Sequence, residues 1–411
     1  MSEPGTPGTP LFDLSDPGYT DSPYDTYRVA RDSAPVCPVS PDGPWVVTGR
    51  AETTEVLDDP LRFTSRDNTR GGHEFTAACR ELLADSVYYR VPPFHADPPG
   101  HGRFRALVDE AFTPAALRPR EPAVRALAET LVQDMRDARE DGGADLFARF
   151  AYPLSLAVIG DLIGVPPADR TTVKAWNDDW LLMQVLPLPE ADQLRCAKSV
   201  LEFEAYVRAL WEERRRHPAD DLLSSLAAAG RPADDCVAAV LTLLPSAHET
   251  TSHLITNTVH RLLADREQWQ AVVADPRLIP AAVEEGLRHS TSLQGVPRTA
   301  TRDTAVGGVR IPAGAKVQVM VAAPGRDTVA ADPDPESFRL DRRGPARHLA
   351  FGHGPHTCPG AHLARLQSRI ALETLTAVLP GLDLAPGFEP RRIPGGLVLH
   401  GLMALPVTWR P

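Results

Sequence analysis

The residues best able to do chemistry in this chain lie near its C-terminal end, in Phe351-Gly-His-Gly-Pro-His-Thr-Cys358-Pro-Gly360. Glycine and proline at this density force a tight backbone turn that passes close to something flat or bulky. A helical pattern opens directly after it, at Ala361. A thiolate at the start of a helix is stabilised by unpaired N–H groups and by the helix dipole. Cys358 therefore reads as a nucleophile or a metal ligand. Three other stretches carry polar groups at telling spacings. His101 and Arg105 stand four apart and share a helix face, where they can clamp an acid or simply face solvent. Glu249 and Thr250 interrupt an otherwise apolar helix that also contains Pro245. Glu285 and Arg288, three apart on a helix, can pair.

Three readings of Cys358 compete. A lone cysteine is commonly a small buried hydrophobe. With His348, His353, His356 and His362 it could hold zinc, although structural zinc prefers several cysteines at short fixed spacings and this segment has one. It could also bind a haem iron as a single thiolate.

Composition narrows the class. The 411 residues are 43% hydrophobic and 24% charged, and neither a low-complexity linker nor an internal repeat divides them. One large, mainly helical domain over residues 1–411 is expected, with residues 1–20, rich in Pro, Gly, Ser and Asp, as a loose leading segment. The 41 prolines cluster at segment ends and read as breaks between helices. A net charge of −11 argues against nucleic acid and anionic membranes as partners. Five scattered cysteines fit a reducing, cytoplasmic setting, and no run of apolar residues is long enough to span a bilayer.

The elements that must position these groups follow from periodicity and punctuation. Helices are expected over residues 23–33, 51–57, 101–112, 121–141, 146–163, 168–186, 190–216, 232–264, 281–288 and 361–379. Short strands are expected at 36–39, 45–48, 304–309 and 317–321, with Gly314 at a turn between the last two, and a final strand near the C-terminus. Residues 63–100 form a long connection whose apolar content, including Asp85-Ser-Val-Tyr-Tyr-Arg, suits a flap over a pocket.

The pattern phenylalanine-glycine-x-glycine-x-histidine-x-cysteine-x-glycine at 351–360 resembles the haem-binding signature of the cytochrome P450 family. The resemblance extends over residues 23–409, with the motifs in order. It implies the mainly α cytochrome P450 fold, a triangular helical domain with a small β-rich region. It implies haem b, with Cys358 as the axial iron ligand and Phe351, Gly352, His356 and Gly360 in the haem-binding segment. His101, Arg105, Arg298 and His356 would hold the haem propionates. Ala247-His-Glu249-Thr250-Thr251 resembles the family's oxygen-activating motif, with Glu249 as the acid and Thr250 as the alcohol that steer protons. The connection near residues 187–189 would be a mobile lid above the active site. The substrate would be met by Val87, Tyr88, Tyr89, Phe94, Leu243, Ala247, Val296 and Val398, with Leu293 and Gln294 beside them.

The implied reaction inserts one oxygen of O₂ into a C–H bond of a hydrophobic small molecule, in secondary metabolism. No dinucleotide fingerprint or iron–sulfur cysteine set accompanies the domain, so a ferredoxin and its NAD(P)H-dependent reductase would supply electrons, docking where Arg103, Arg347, Arg365 and Arg369 flank the cysteine. A carrier-tethered substrate, oxidative coupling, dealkylation, or a haem-binding sensor without turnover are the alternatives. Four departures stand out. Ser246-Ala247 replaces the usual Ala-Gly and Pro245 lies beside them, which we read as an opening of the helix that offsets the added methyl. Ser337 replaces an arginine expected to join the Glu285–Arg288 pair, leaving Arg339, Arg342 and Arg347 as substitutes. Ala323-Pro-Gly-Arg-Asp327 replaces Ala-Asn-Arg-Asp.

Overall fold

In a computed structural model, the structure describes residues 12, 19, 22–40, 43–66, 75–87, 96–138, 143–327, 334–342, 348–393 and 398–409. The predominance of helix is as expected. Helix α1 (Tyr24–Ser33) packs its aromatic face on Phe12 and Tyr19, both buried, so these two residues of the leading segment are anchored. Strands β1 (Val36–Pro38) and β2 (Trp45–Val47) form a hairpin, and α2 (Arg50–Asp58) follows. β3 (Phe63–Thr64) opens the long connection, and the connection contains α3 (Ala77–Leu82), capped by Thr76, whose hydroxyl accepts from the Cys79 N–H at 3.3 Å.

The middle of the chain is helical. α4 (Gly100–Val108), α5 (Pro114–Leu117) and α6 (Glu121–Asp137) precede a short strand, β4 (Gly143–Asp145). A π-type turn at Phe147–Ala151 then leads into α7 (Tyr152–Ile163), so the single helix expected from residue 146 is divided. α8 (Arg170–Val185) and α9 (Glu190–Arg216) pack on each other as an antiparallel pair, and α10 (Leu222–Ala228) follows. α11 (Ala233–Ala264) is the central element. Residues from Cys236 to Pro245 and from Thr251 to His260 are buried almost without interruption, as befits a helix enclosed on all sides. Pro245 lies inside it without ending it. α7 and α14 (Ala361–Val378) pack along α11, and α12 (Arg266–Ala274) and α13 (Ile279–His289) follow it in the chain.

The β region is small. β5 (Val296–Ala300) and β8 (Lys316–Val319) complete a five-stranded sheet in the order β1-β2-β8-β5-β3, in which β2 and β8 run parallel. The segment expected as one strand at 304–309 is a hairpin, β6 (Thr304–Val306) and β7 (Val309–Ile311). Gly307 and Gly308 turn it with φ of +53° and +81°, which the two glycines adopt without a Cβ penalty. β9 (Asp383–Leu384) and β10 (Pro406–Thr408) join β4, the last bond of a sheet whose strands lie more than 200 residues apart. Among the described residues no helix is long and apolar enough to cross a membrane.

Candidate active site

The segment before α14 is shaped by its glycines. Gly352 and Gly354 have φ of +71° and +69°. A Cβ at Gly354 would stand 2.6 Å from the Leu57 carbonyl oxygen, so only glycine lets the loop press against the end of α2. The Cys358 N–H donates to the Phe351 carbonyl at 2.8 Å, closing the loop on itself. A Cβ on Gly360 would stand 3.8 Å from Cys358 Sγ, which leaves the sulfur's flank open. Cys358 is half-buried. Burial pushes its thiol up, and the Gly360 N–H with the charges of Arg105 and Arg365 pulls the other way. A bound metal ion would hold it as the thiolate. None of His348, His353 and His362 converges on Cys358: His348 pairs with Glu284 at 3.2 Å and His353 with Asp58 at 3.0 Å. Among the described residues no cluster able to hold a bare metal ion occurs.

Beside the loop, cationic and imidazole groups gather. The rings of His101 on α4 and His356 lie 3.8 Å apart. Burial, then the charges of Arg105 and Arg298, push the His101 imidazole below its ordinary value, with Asp109 and Asp97 opposing. Arg105 pairs with Asp109 at 2.7 Å and donates to the Thr357 carbonyl, one residue before the cysteine. Arg298 on β5 is buried, and among the described residues its hydrogen bond goes to its neighbour's carbonyl, that of Pro297, at 2.7 Å. Burial pushes its guanidinium down to about 10, against the charge of Asp97. Asp97 is otherwise engaged by the Ser65 N–H at 2.9 Å and by Arg66 at 3.2 Å. Among the described residues one hydrogen bond reaches this buried guanidinium, which leaves it donors for an anion. The set fits the carboxylates of a haem.

On α11, Thr250 Oγ1 donates to the Ser246 carbonyl at 2.6 Å, and Ser292 donates to the Thr250 carbonyl at 2.8 Å. Ser246, Ser252, Thr256 and Thr258 also bond back four residues, which satisfies hydroxyls inside an apolar helix. Glu249 is largely buried. Burial pushes its carboxyl up, but the bond and charge of His248 and the charges of His253 and Lys174 outweigh that and hold it below the usual range. His253, stacked on Phe147, is pushed down to about 4 by burial, partly opposed by Glu249.

The predicted substrate residues divide. Tyr88, Tyr89 and Phe94 lie outside the described residues, as does Arg347. Val87 and Leu243 are buried in the main core, and Ala247, Val296 and Val398 are half-buried. Gln294 is a correction. It is fully buried, accepts from the Tyr27 hydroxyl at 3.1 Å and donates to the Thr291 carbonyl at 2.7 Å, so it braces α1 instead of facing a ligand. Extended chain alternates its faces, and half-buried Leu293, bridged to Leu399, takes the other side. The missing arginine is also resolved. Arg342 approaches both carboxylate oxygens of Glu285 at 3.2 Å and donates to the Ser337 carbonyl at 2.7 Å, whereas the Arg339 guanidinium pairs with Asp341. The Glu285–Arg288 pair, at 2.7 Å, is buried.

The model of the family described as "Cytochrome P450" matches residues 182–377. The chain is 35% identical to "Cytochrome P450 monooxygenase PikC" of Streptomyces venezuelae, covering 98% of this chain and 96% of the relative. The chain belongs to the cytochrome P450 family. It is 36% identical to "Erythromycin C-12 hydroxylase" of Saccharopolyspora erythraea over 82% of each chain. Among solved structures it resembles "P450BioI in complex with hexadec-9Z-enoic acid ligated Acyl Carrier Protein", with a TM-score of 0.86, 30% identity, and coverage of 96% of this chain and 100% of that one. This cytochrome P450 is thus a monooxygenase with an iron protoporphyrin IX haem.

Proposed function

We propose that Cys358 is the proximal ligand of the haem and that His101, Arg105, Arg298 and His356 neutralise its propionates. The observation that carries this is the close pair of imidazoles His101 and His356, with Arg105 bonded to the Thr357 carbonyl next to Cys358, and a buried Arg298 whose charge reaches His101. Charge-assisted bonds to a carboxylate are the strong ones, and this group is short of carboxylate. The haem, when bound, supplies the activation of O₂ and its insertion into a C–H bond. Glu249 holds a proton-exchanging carboxylate beside Thr250, and Thr250 presents a hydroxyl whose own proton is parked on the Ser246 carbonyl.

The substrate is a hydrophobic small molecule of secondary metabolism, in keeping with a relative named as an erythromycin C-12 hydroxylase and with the apolar Val87, Leu243, Ala247 and Val296. A carrier-bound acyl chain is the second reading, favoured by the likeness to a structure that holds a ligated acyl carrier protein. Electrons come from a ferredoxin. Of the arginines expected at the docking face, Arg365 pairs with Glu284, and Arg369 with Glu121 and Glu373. Exposed Arg103 and Arg118, without an ion-pair partner among the described residues, are the cations left to meet an acidic protein. Arg118, Arg365 and Arg369 rim a cavity of about 320 Å³ floored by Leu117, Val283 and Leu366. The test is oxygen uptake and product mass with a ferredoxin, its reductase and a panel of macrolides and acyl-carrier substrates. A gain of one oxygen is expected; uptake that yields no product from any of them would overturn the reading.

A further inference from the structure

A chain of exchangeable protons leads from the surface to Glu249. It begins on α8, where Asp178 is exposed and pairs with Lys174 at 2.5 Å. The Tyr152 hydroxyl stands 3.4 Å from Asp178 Oδ1, 3.5 Å from Glu249 Oε1 and 2.7 Å from His248 Nε2. Tyr152 opens α7 straight after the π-type turn, and its ring is held edge-on by Phe147 and His248 and capped by Lys174.

The imidazole of His248 fixes where protons sit. It is fully buried, and its Nδ1 faces the Leu244 carbonyl at 3.3 Å. A carbonyl only accepts, so Nδ1 carries a hydrogen. Nε2 lies 3.1 Å from Glu249 Oε1 and 2.7 Å from the Tyr152 oxygen, so the imidazole, the carboxylate and the phenol form one cluster able to exchange protons. The groups that face this pair are His253 on α11, 3.6 Å from Glu249 Oε2, Tyr152 on α7, and Asp178 and Lys174 on α8.

We propose that Tyr152 is the relay through which the buried His248–Glu249 pair is recharged with protons from solvent at Asp178. When Glu249 gives up its proton on the Thr250 side, the Tyr152 O–H passes its proton to Glu249 Oε1. The Tyr152 oxygen takes a proton from water at Asp178 in the same movement. Each hop breaks one O–H bond and forms another, and the water's loss is made good by bulk solvent. The phenol never accumulates as phenolate, since burial, Glu249 and Asp178 push its ionisation up. Tyr152 is a positioning and relay residue acting through Glu249, and the inference rests on the reading of Glu249 as the proton-delivering acid. Because Asp178 rides on α8 and Tyr152 on α7, the route is complete only while α8 lies against α7.

The test uses the haem-loaded protein. In its reduced, carbon monoxide-bound state, with isotope-labelled histidine, magnetic resonance after transfer to heavy water reads how fast the His248 ring proton exchanges. Tyr152→Phe keeps the ring and removes the hydroxyl. Exchange is expected to slow about tenfold, with a larger solvent isotope effect on turnover and more electrons lost to peroxide, while the carbon monoxide spectrum, ligand affinity and melting temperature stay as in the parent. Asp178→Asn, on the surface, should slow exchange by about threefold and carries the test if Tyr152→Phe does not fold. Parent-like exchange in the folded variant would overturn the relay. Glu249→Gln separates the two ideas. If it leaves coupling intact, the reading of Glu249 falls; if it uncouples while Tyr152→Phe does not, the relay alone falls.

Discussion

The two sides of this protein's site are built on different scales. The cysteine loop is made from ten consecutive residues, Phe351 to Gly360, whose glycines and internal hydrogen bonds define its shape. The polar stretch of α11 around Glu249 gains its surroundings from other helices: Tyr152 is 97 residues away from Glu249, and Lys174 and Asp178 come from α8. Local backbone geometry makes the first, and tertiary packing makes the second. A local device can be read from residue spacing. A distributed one shows only once helices are placed against each other.

That contrast can be pressed where its effects are largest. On the proposed reading the haem held by the loop also needs Arg298, which is distant in sequence and buried on β5. Arg298→Leu should remove about 2 kcal/mol of charge-assisted bonding and weaken haem retention on the order of thirtyfold, read as haem transfer to apomyoglobin. Retention equal to the parent would show that the loop stands without its distant cation. Of similar size is Arg342→Ala. Breaking a buried pair outright costs roughly 3–5 kcal/mol, but Glu285 keeps Arg288, so about 2 kcal/mol of unfolding free energy should go. Arg339→Ala, whose guanidinium lies on the exposed side, should leave stability unchanged in denaturant titration.

The smallest effect concerns pH. Glu284 is held down to about 2: burial pushes it up, but the bonds and charges of His348 and Arg365 win. Its unfolded value is near 4.5. A carboxyl lowered on folding adds stability that is whole above the unfolded value and disappears as pH falls through the folded one. Glu284 should therefore contribute fully above about 4.5 and lose its contribution between about 4.5 and 2. Glu284→Gln should lower stability at neutral pH and flatten the acid limb in that window. A parallel shift of the whole curve would contradict this.

How far the sequence could be read follows the same division. The long apolar α11 was legible from its periodicity, whereas the spacing of His101 and Arg105 fitted a solvated face equally well and the roles of these two and of Cys358 came from the family likeness. Arg298 was legible only through the family likeness, since nothing near Pro297 marks it as buried and short of partners. Ser337 looked like a loss in the Glu285 cluster; Arg342 restores the charge from five residues on, which spacing could not separate from Arg339 or Arg347. Gln294 pointed the wrong way because the face of an isolated extended stretch depends on its pairing with Leu399. β4 and β10 share a sheet across the length of the chain, and three residues of Gly-Ala-Asp carry no strand signal of their own. The hydroxyl of Tyr152 gave no sign at all, lying in a stretch that reads as plain core.

The most direct measurement is the absorption spectrum of the reduced, carbon monoxide-bound protein beside that of Cys358→His. The parent should show the strongly red-shifted band of a thiolate-ligated haem, and the variant the shorter-wavelength band of an imidazole-ligated one. A parent spectrum already of the imidazole type, or unchanged by the substitution, would contradict the assignment of Cys358 as the iron's ligand.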